Sequence, residues 1–261
     1  MSEDRGKEML AATRRERILE LIQEEGSARV KMLSSLFKVS EPTIRQDLEK
    51  LEADGHVVRE HGGAFLRTVS QQVGSLTLQR LENMDKKIHI AKKASEFVSP
   101  GSCIILDSGS TITELAKCLA SVDNLTVVTN ALNIALIIGA NPSSQLLVTG
   151  GEFKAPTLSL TGERAAAFIR GLHVDKLFLA TGGISPIFEL TYPGFSDIVV
   201  KKTMIESARE TYLLADSTKF GKAALASLGS IACVDCLITD EGMDPRIAEK
   251  IEALGVRVIV A

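Results

Sequence analysis

Ser40-Glu41-Pro42-Thr43-Ile44-Arg45-Gln46-Asp47-Leu48-Glu49-Lys50-Leu51 is the stretch on which the reading of this chain turns. Ile44, Leu48 and Leu51 recur at helical spacing and share one inward face. Ser40 stands before them as an N-cap, and Pro42 is tolerated in a first turn. The opposite face carries Pro42, Gln46 and Lys50, flanked by Thr43 and Arg45. A helix lying in a DNA major groove needs this layout: short hydroxyls and basic groups for phosphates, amides for base edges. Gln46 can pair bidentately with an adenine edge; Arg45 can take a guanine or a phosphate. Periodicity alone would also fit any amphipathic helix.

Upstream, Ile18, Leu21 and Ile22 form another helical stripe that ends at Gly26. Val30, Leu33, Leu36 and Phe37 form a second, placing a helix-turn-helix at about 30–49. Downstream, Gly55 stops the third helix. His56-Val57-Val58-Arg59 then alternates towards Gly62-Gly63, as a strand entering a tight turn does. Three helices and a hairpin make a small winged helix-turn-helix domain over 10–66. In its wing, Arg59, His61 and the flexible Gly62-Gly63 would approach the sugar-phosphate chain.

Charge gives this reading no help. The chain has 261 residues and a net charge of −3, with 45% apolar and 24% charged residues. Its first 70 residues hold 12 Lys+Arg against 13 Asp+Glu. No Trp and two Tyr argue against a platform that stacks many unpaired bases. The length allows two domains, each with its own core. The charged first 30 residues do not resemble a signal peptide, and no apolar run approaches the length of a membrane span. Four Cys in so long a chain are no disulfide framework, so a cytoplasmic protein is expected.

Residues 67–85 read as a polar linker, and 86–261 as a second domain. There, strand-like runs at 103–106, 125–128, 146–148, 176–180, 212–215, 236–239 and 256–260 alternate with helical stretches. These lie around 111–120, 131–139, 162–171, 197–208 and 244–254. The alternation predicts an α/β domain with a mostly parallel sheet. Asp107-Ser108-Gly109-Ser110-Thr111 follows a strand and opens a helix, where free backbone N–H groups suit a phosphate. Thr129-Asn130 and Gly150-Gly151 follow two more strands, and Gly182-Gly183 a fourth. In open α/β sheets ligands bind beyond the carboxyl ends of strands. Asp216-Ser217-Thr218-Lys219 follows another strand, and its Lys219 could reach a phosphate or merely face solvent. Cys233-Val234-Asp235-Cys236 is an isolated CxxC with no nearby His, read as buried and inert cysteines rather than a metal site. No catalytic or metal constellation emerges, and no cofactor is called for.

Arg14, Ile18 and Ile22, then Ser40, Thr43 to Leu48, and Gly55 to Ala64 together resemble the DeoR family of bacterial transcriptional repressors. Many members carry a second arginine where this chain has Gln46, which bears on the operator it prefers. The resemblance continues through Asp107–Thr111, Thr129-Asn130, Gly150-Gly151, Val200-Lys201 and Ala215–Phe220. It implies a sensor domain similar to ribose-5-phosphate isomerase and CoA transferases in fold. It also implies DNA contacts at Thr43, Arg45, Gln46 and Lys50. In the sensor, Gly109, Ser110 and Thr111 would cradle a phosphate, with Lys201 and Lys219 as cationic partners. Asp107, Asn130 and Asp216 would meet sugar hydroxyls, and Tyr192-Pro193-Gly194-Phe195 would help set which sugar fits. The expected protein is a homo-oligomer, dimer or tetramer, that binds double-stranded operator DNA. As a repressor of a carbohydrate-utilisation operon it would be released by a phosphorylated sugar; activation is the other sense open. The rival reading is a sugar-phosphate isomerase with an appended helical domain, using Asp107, Asp216 and Lys201 as acid-base groups.

Overall fold

The computed structural model describes residues 3–25, 27–60, 62–66, 82–155 and 157–261. The chain divides into two compact units, Met1–Gln79 and Arg80–Ala261.

The first unit runs α1 (Glu3–Glu25), β1 (Ser27–Arg29), α2 (Val30–Phe37), α3 (Glu41–Ala53), β2 (Val57–Glu60) and β3 (Gly63–Leu66). Ile18 and Ile22 of α1, Leu33 of α2, and Ile44 and Leu48 of α3 have no exposed surface. Each contributes roughly 1.5–3 kcal/mol by leaving water. Ser40 caps α3 through its hydroxyl, which accepts from Thr43 N at 3.3 Å. Asp47, almost fully buried on the core side of α3, receives Arg14 at 2.6 Å and Arg15 at 3.6 Å. That pair ties α1 to α3.

The hairpin has a third strand that the sequence reading lacks. β1 pairs antiparallel with β3, giving the order β1-β3-β2. Gly62 lies in the turn, and Gly63 belongs to β3 rather than to the turn. A Cβ on Gly63 would sit 2.6 Å from the Ala28 carbonyl oxygen, so here glycine admits a neighbouring strand. His61 and the linker at 67–81 lie outside the described residues. At the far end of that linker, residues 84 and 85 are already helical, because the chain turns into α4 (Met84–Ser95) at Asn83, φ 53°.

The second unit continues with β4 (Cys103–Leu106), α5 (Ser110–Leu119), β5 (Thr126–Thr129), α6 (Leu132–Gly139) and β6 (Gln145–Val148). A short hairpin follows, β7 (Glu152–Lys154) and β8 (Ser159–Thr161), then α7 (Glu163–Ile169), β9 (Val174–Ala180), β10 (Gly183–Ile184) and β11 (Glu189–Tyr192). The chain ends with α8 (Ile198–Ser207), β12 (Ala208–Leu214), β13 (Ala226–Ser230), β14 (Cys236–Thr239), α9 (Pro245–Glu252) and β15 (Arg257–Val260).

Seven of these strands form one sheet in the order β15-β14-β12-β9-β4-β5-β6, every pair parallel. Alternate side chains feed opposite faces. Ile104, Leu106 and Phe178 pack with Ile90 and Ala94 of α4, Leu115 of α5 and Ile134 of α6. Ile105, Leu177 and Leu179 pack on the other face with Ala166 of α7, Val200 and Met204 of α8 and Ile251 of α9. This is a doubly wound α/β unit, as the alternation of elements predicts. The direction of winding reverses between β4 and β9, so the connections leaving their carboxyl ends run to opposite faces of the sheet, the arrangement beside which open α/β sheets bind ligands. A second antiparallel sheet, β10-β11-β13, stands apart from the main one.

Candidate functional site

On the outer face of α3, Arg45, Gln46 and Lys50 are exposed, and Thr43 is half-buried beside the cap. Arg45 leans on Glu41 at 3.2 Å across exposed surface, a contact too weak to hold it from another partner. Arg59 is placed differently from what the sequence suggests. Its guanidinium bonds Glu49 at 2.9 Å and lies 3.9 Å from Glu52, while Glu52 also accepts from Arg59 N. The wing arginine is therefore drawn onto α3. Gly62 lies exposed in the turn at φ +91°.

In the second unit, Asp107 ends β4 at the point where the winding reverses and has no exposed surface. It accepts from Lys201 Nζ at 2.9 and 2.6 Å and from Ala180 N, at the end of β9, at 3.1 Å. Burial pushes the Asp107 carboxyl upward in pKa, and Lys201 beside it pulls the other way. Lys201, 4% exposed, also lies 4.7 Å over the Tyr192 ring. The Tyr192 hydroxyl donates to Ala180 O at 2.7 Å. Burial and the Asp107 charge hold that phenol well above its ordinary pKa, as a neutral donor. Asp107 and Lys201 thus meet each other across β4 and α8, with neither charge left over.

Beside them, Gly109 takes the N-cap position of α5 at φ +148° and gives no side-chain cap. A Cβ there would fall 2.8 Å from Ala180 Cβ, so glycine lets the loop close onto β9. Ser110 and Thr111 open the helix, whose first-turn N–H groups point beyond the strand ends. At the end of β5, Thr129 donates to Leu106 O at 2.7 Å and accepts from Ala131 N, bracing the two strand ends. Asn130 donates to Leu160 O at 3.2 Å, while its Oδ1 is buried without a partner. Thr149, ahead of Gly150-Gly151, carries an equally unpartnered hydroxyl. Asp216 follows β12 and caps Thr218 N through Oδ1; its Oδ2 is buried and unpartnered. Lys219 closes that turn, half-buried.

The structure therefore brings together Asp107, Gly109, Ser110, Thr111 and Lys201 where the winding reverses. It sets Thr129, Asn130, Gly150 and Gly151 on the strand ends on one side, and Asp216 and Lys219 on the other. One group was missed, Asp240 after β14. It lies 2.9 Å from Lys86 and accepts from Ser217 N at 2.6 Å and Gly242 N at 3.0 Å. A pattern in the sequence could have found it: an aspartate closes three parallel strands, at 107, 216 and 240.

A cleft of about 280 Å³ lies at the opposite edge, by the amino ends of β9 and β12, lined by His173, Asp175, Glu206 and Arg209. Helix N-termini face the other edge of such a sheet, so this cleft lacks their donors. Cys233 is exposed rather than buried, because the turn Ile231–Cys233 directs Ile231 and Val234 inward. Cys236 is buried. Among the described residues no cluster of His, Cys, Asp and Glu could hold a metal, and no helix is long and apolar enough to cross a membrane.

Two family profiles match: a DeoR-like helix-turn-helix domain over residues 14–69 and a DeoR C terminal sensor domain over 82–241. The HTH-type transcriptional regulator YulB of Bacillus subtilis is 35% identical, over 96% of this chain and 96% of that one. The glycerol-3-phosphate regulon repressor of Escherichia coli is 31% identical, over 85% of this chain and 88% of that one. A ribose 5-phosphate isomerase A from Methanocaldococcus jannaschii aligns in structure at a TM-score of 0.39 and 18% identity, over 53% of this chain and 55% of that one. The curated relatives are named as regulators and repressors, not enzymes, which sets aside the isomerase reading.

Proposed function

The chain belongs to the DeoR family of transcriptional regulators, and from that premise we propose that it is a cytoplasmic repressor of a carbohydrate-utilisation operon, released from its operator by a phosphorylated sugar. Thr43, Arg45, Gln46 and Lys50 read the major groove, with Gly62 and Gly63 bringing the wing near the backbone. The observation that carries the sensor half is the capless N-terminus of α5 at the reversal of winding, next to buried acceptors with spare valence. Backbone N–H groups there suit a phosphate; Asn130 Oδ1 and Asp216 Oδ2 suit carbohydrate hydroxyls. Asp107 and Lys201 neutralise each other, so their part is to hold the loop and helix in place around the ligand. The name of the glycerol-3-phosphate regulon repressor agrees with a phosphorylated polyol as the chemical class.

Release needs a ligand that binds the low-affinity state better than the DNA-bound one. An oligomer, dimer or tetramer, gathers enough phosphate contacts for a reader domain that is not basic. Two substitutions test the division of labour. Arg45→Ala lowers operator affinity and leaves effector affinity unchanged, while Lys219→Ala does the reverse. Gel shift and calorimetry on the full chain check both, and equal loss of both activities in either variant contradicts the division.

A further inference from the structure

We propose that the free edge of β6 and the outer face of α6 form a dimer seam, whose occupant is a second copy of this chain across a two-fold axis. The proposal rests on the oligomer in the reading above and gives it a surface.

None of residues 124–151 is charged, in a chain that is 24% charged. They build β5, α6 and β6, one edge of the seven-stranded sheet. Among the described residues β6 has β5 on one side and no strand on the other. Gln145 N donates to Leu125 O and Thr149 N to Thr129 O, both towards β5. Strand residues alternate, so the N–H and C=O of Leu146 and Val148 point out along the free edge. Over the same edge, α6 buries Ile134 and Ile138 but leaves Leu132, Leu136 and Gly139 exposed, Leu136 by 78%. Its one polar side chain, Asn133, is turned to α5, where it donates to Thr113 Oγ1 at 2.8 Å. A helix apolar on every side is normally a covered one.

The opposite edge is built otherwise. β15 carries Arg257, paired with Glu210 at 3.3 Å, and α9 before it exposes Arg246, Glu249, Lys250 and Glu252. Charges of this kind keep an edge strand from pairing. β6 has no such guard, and depletion of charge marks the core of a protein interface. A two-fold axis is the operation that lets two identical edges satisfy each other. With the axis at Leu147, Leu146 of each copy faces Val148 of the other, and the outward residues exchange hydrogen bonds in both directions. That axis stands perpendicular to the sheet, so both copies of α6 lie on the same face of the joined sheet. The same register sets Gln145 of the partner subunit opposite Thr149. The seam therefore runs up to Gly150 and Gly151, which the reading above gives to the effector.

Analytical ultracentrifugation of the full chain, with oxidative cross-linking, tests this. Wild type is expected to self-associate. Leu136→Glu, which sets two like charges at the seam, weakens that association at least about tenfold. Ile187→Glu, at a similarly exposed apolar residue on the turn between β10 and β11, leaves it unchanged. Residues opposite each other in a non-hydrogen-bonded antiparallel pair stand about 4.5 Å apart, within disulfide range. Leu147→Cys therefore forms a disulfide between the two copies under mild oxidation, identified by mass spectrometry. Should Leu147→Cys not fold, hydrogen exchange of the wild type decides. Protection of residues 145–148 that rises with protein concentration supports the seam, and protection independent of concentration overturns it. A wild-type oligomer that Leu136→Glu leaves intact, or a folded Leu147→Cys oligomer without that disulfide, overturns the seam and leaves the oligomer of the earlier reading standing. A wild-type chain that stays monomeric at every concentration overturns both.

Discussion

Asp107 and Lys201 show what a single residue pair contributes. Both are almost wholly buried, and each is the other's counter-ion. Removing one leaves a charge stranded in the sheet's end. Asp107→Ala is expected to cost about 3–5 kcal/mol of stability, read by urea denaturation, whereas the apolar pair Asp107→Leu with Lys201→Met recovers most of it. Equal destabilisation of the single and double variants would contradict the pairing. Arg14 and Asp47 do the same work in the reader domain at partly exposed depth, and Asp47→Ala should cost about 1–3 kcal/mol. Both pairs hide their purpose in the sequence. Asp47 lies inside the helix-turn-helix signature with no partner named by it, and Lys201 reads as a cationic partner for a ligand phosphate rather than for Asp107. Only packing shows that each points inward, because the partner stands 33 residues away in one case and 94 in the other.

At the scale of elements, α3 and the parallel strands were legible because each carries its own pattern. Ile44, Leu48 and Leu51 mark a helix face without help from elsewhere, and Cys103–Leu106 is a continuous apolar run of the kind buried parallel strands require. The strands the sequence did not disclose lack any such pattern. β10 has two residues, β13 carries Gly229, and the register of β11 on β13 shifts between Leu190 and Thr191. β1 is three residues that pair with β3, far along the chain. The candidate site was legible as loops, not as contacts: Asp107, Gly109 and Lys201 were visible, but not that Lys201 pairs with Asp107 or that Gly109 packs on Ala180.

The loop tied to α4 supports a prediction in pH. Burial alone would raise the Asp240 carboxyl, but hydrogen bonds from Ser217, Lys86 and Gly242 outweigh it and hold the pKa below its ordinary value. A depressed acid stabilises the fold above its unfolded pKa of about 4 and loses that contribution as pH falls through the folded value. Urea denaturation of wild type and Asp240→Asn should therefore differ at pH 7 and converge in acid. A gap that persists below the folded pKa would contradict the assignment. On α3, Lys50→Ala should lower the salt slope of operator binding by about one, with little change in sequence preference.

For the whole molecule, the near-neutral charge acquires a definite meaning. From residue 71 onward, 18 Lys+Arg stand against 20 Asp+Glu, so the sensor sets most of the total. The proposed reader has few side chains to offer DNA, since Arg59 is taken up by Glu49 and Glu52. Each subunit should then release few counterions, and operator affinity should depend on the number of subunits engaged. The central claim is that one chain joins a groove-reading helix to a phosphate-sensing sheet. It is tested most directly by the fluorescence anisotropy of operator DNA, selected from a random library, bound by the full chain with and without a panel of phosphorylated sugars. A phosphorylated sugar, but not its unphosphorylated counterpart, should weaken operator binding at least tenfold, roughly the low end of the coupling such switches show. Operator affinity unmoved by every sugar phosphate that the protein demonstrably binds would contradict the account.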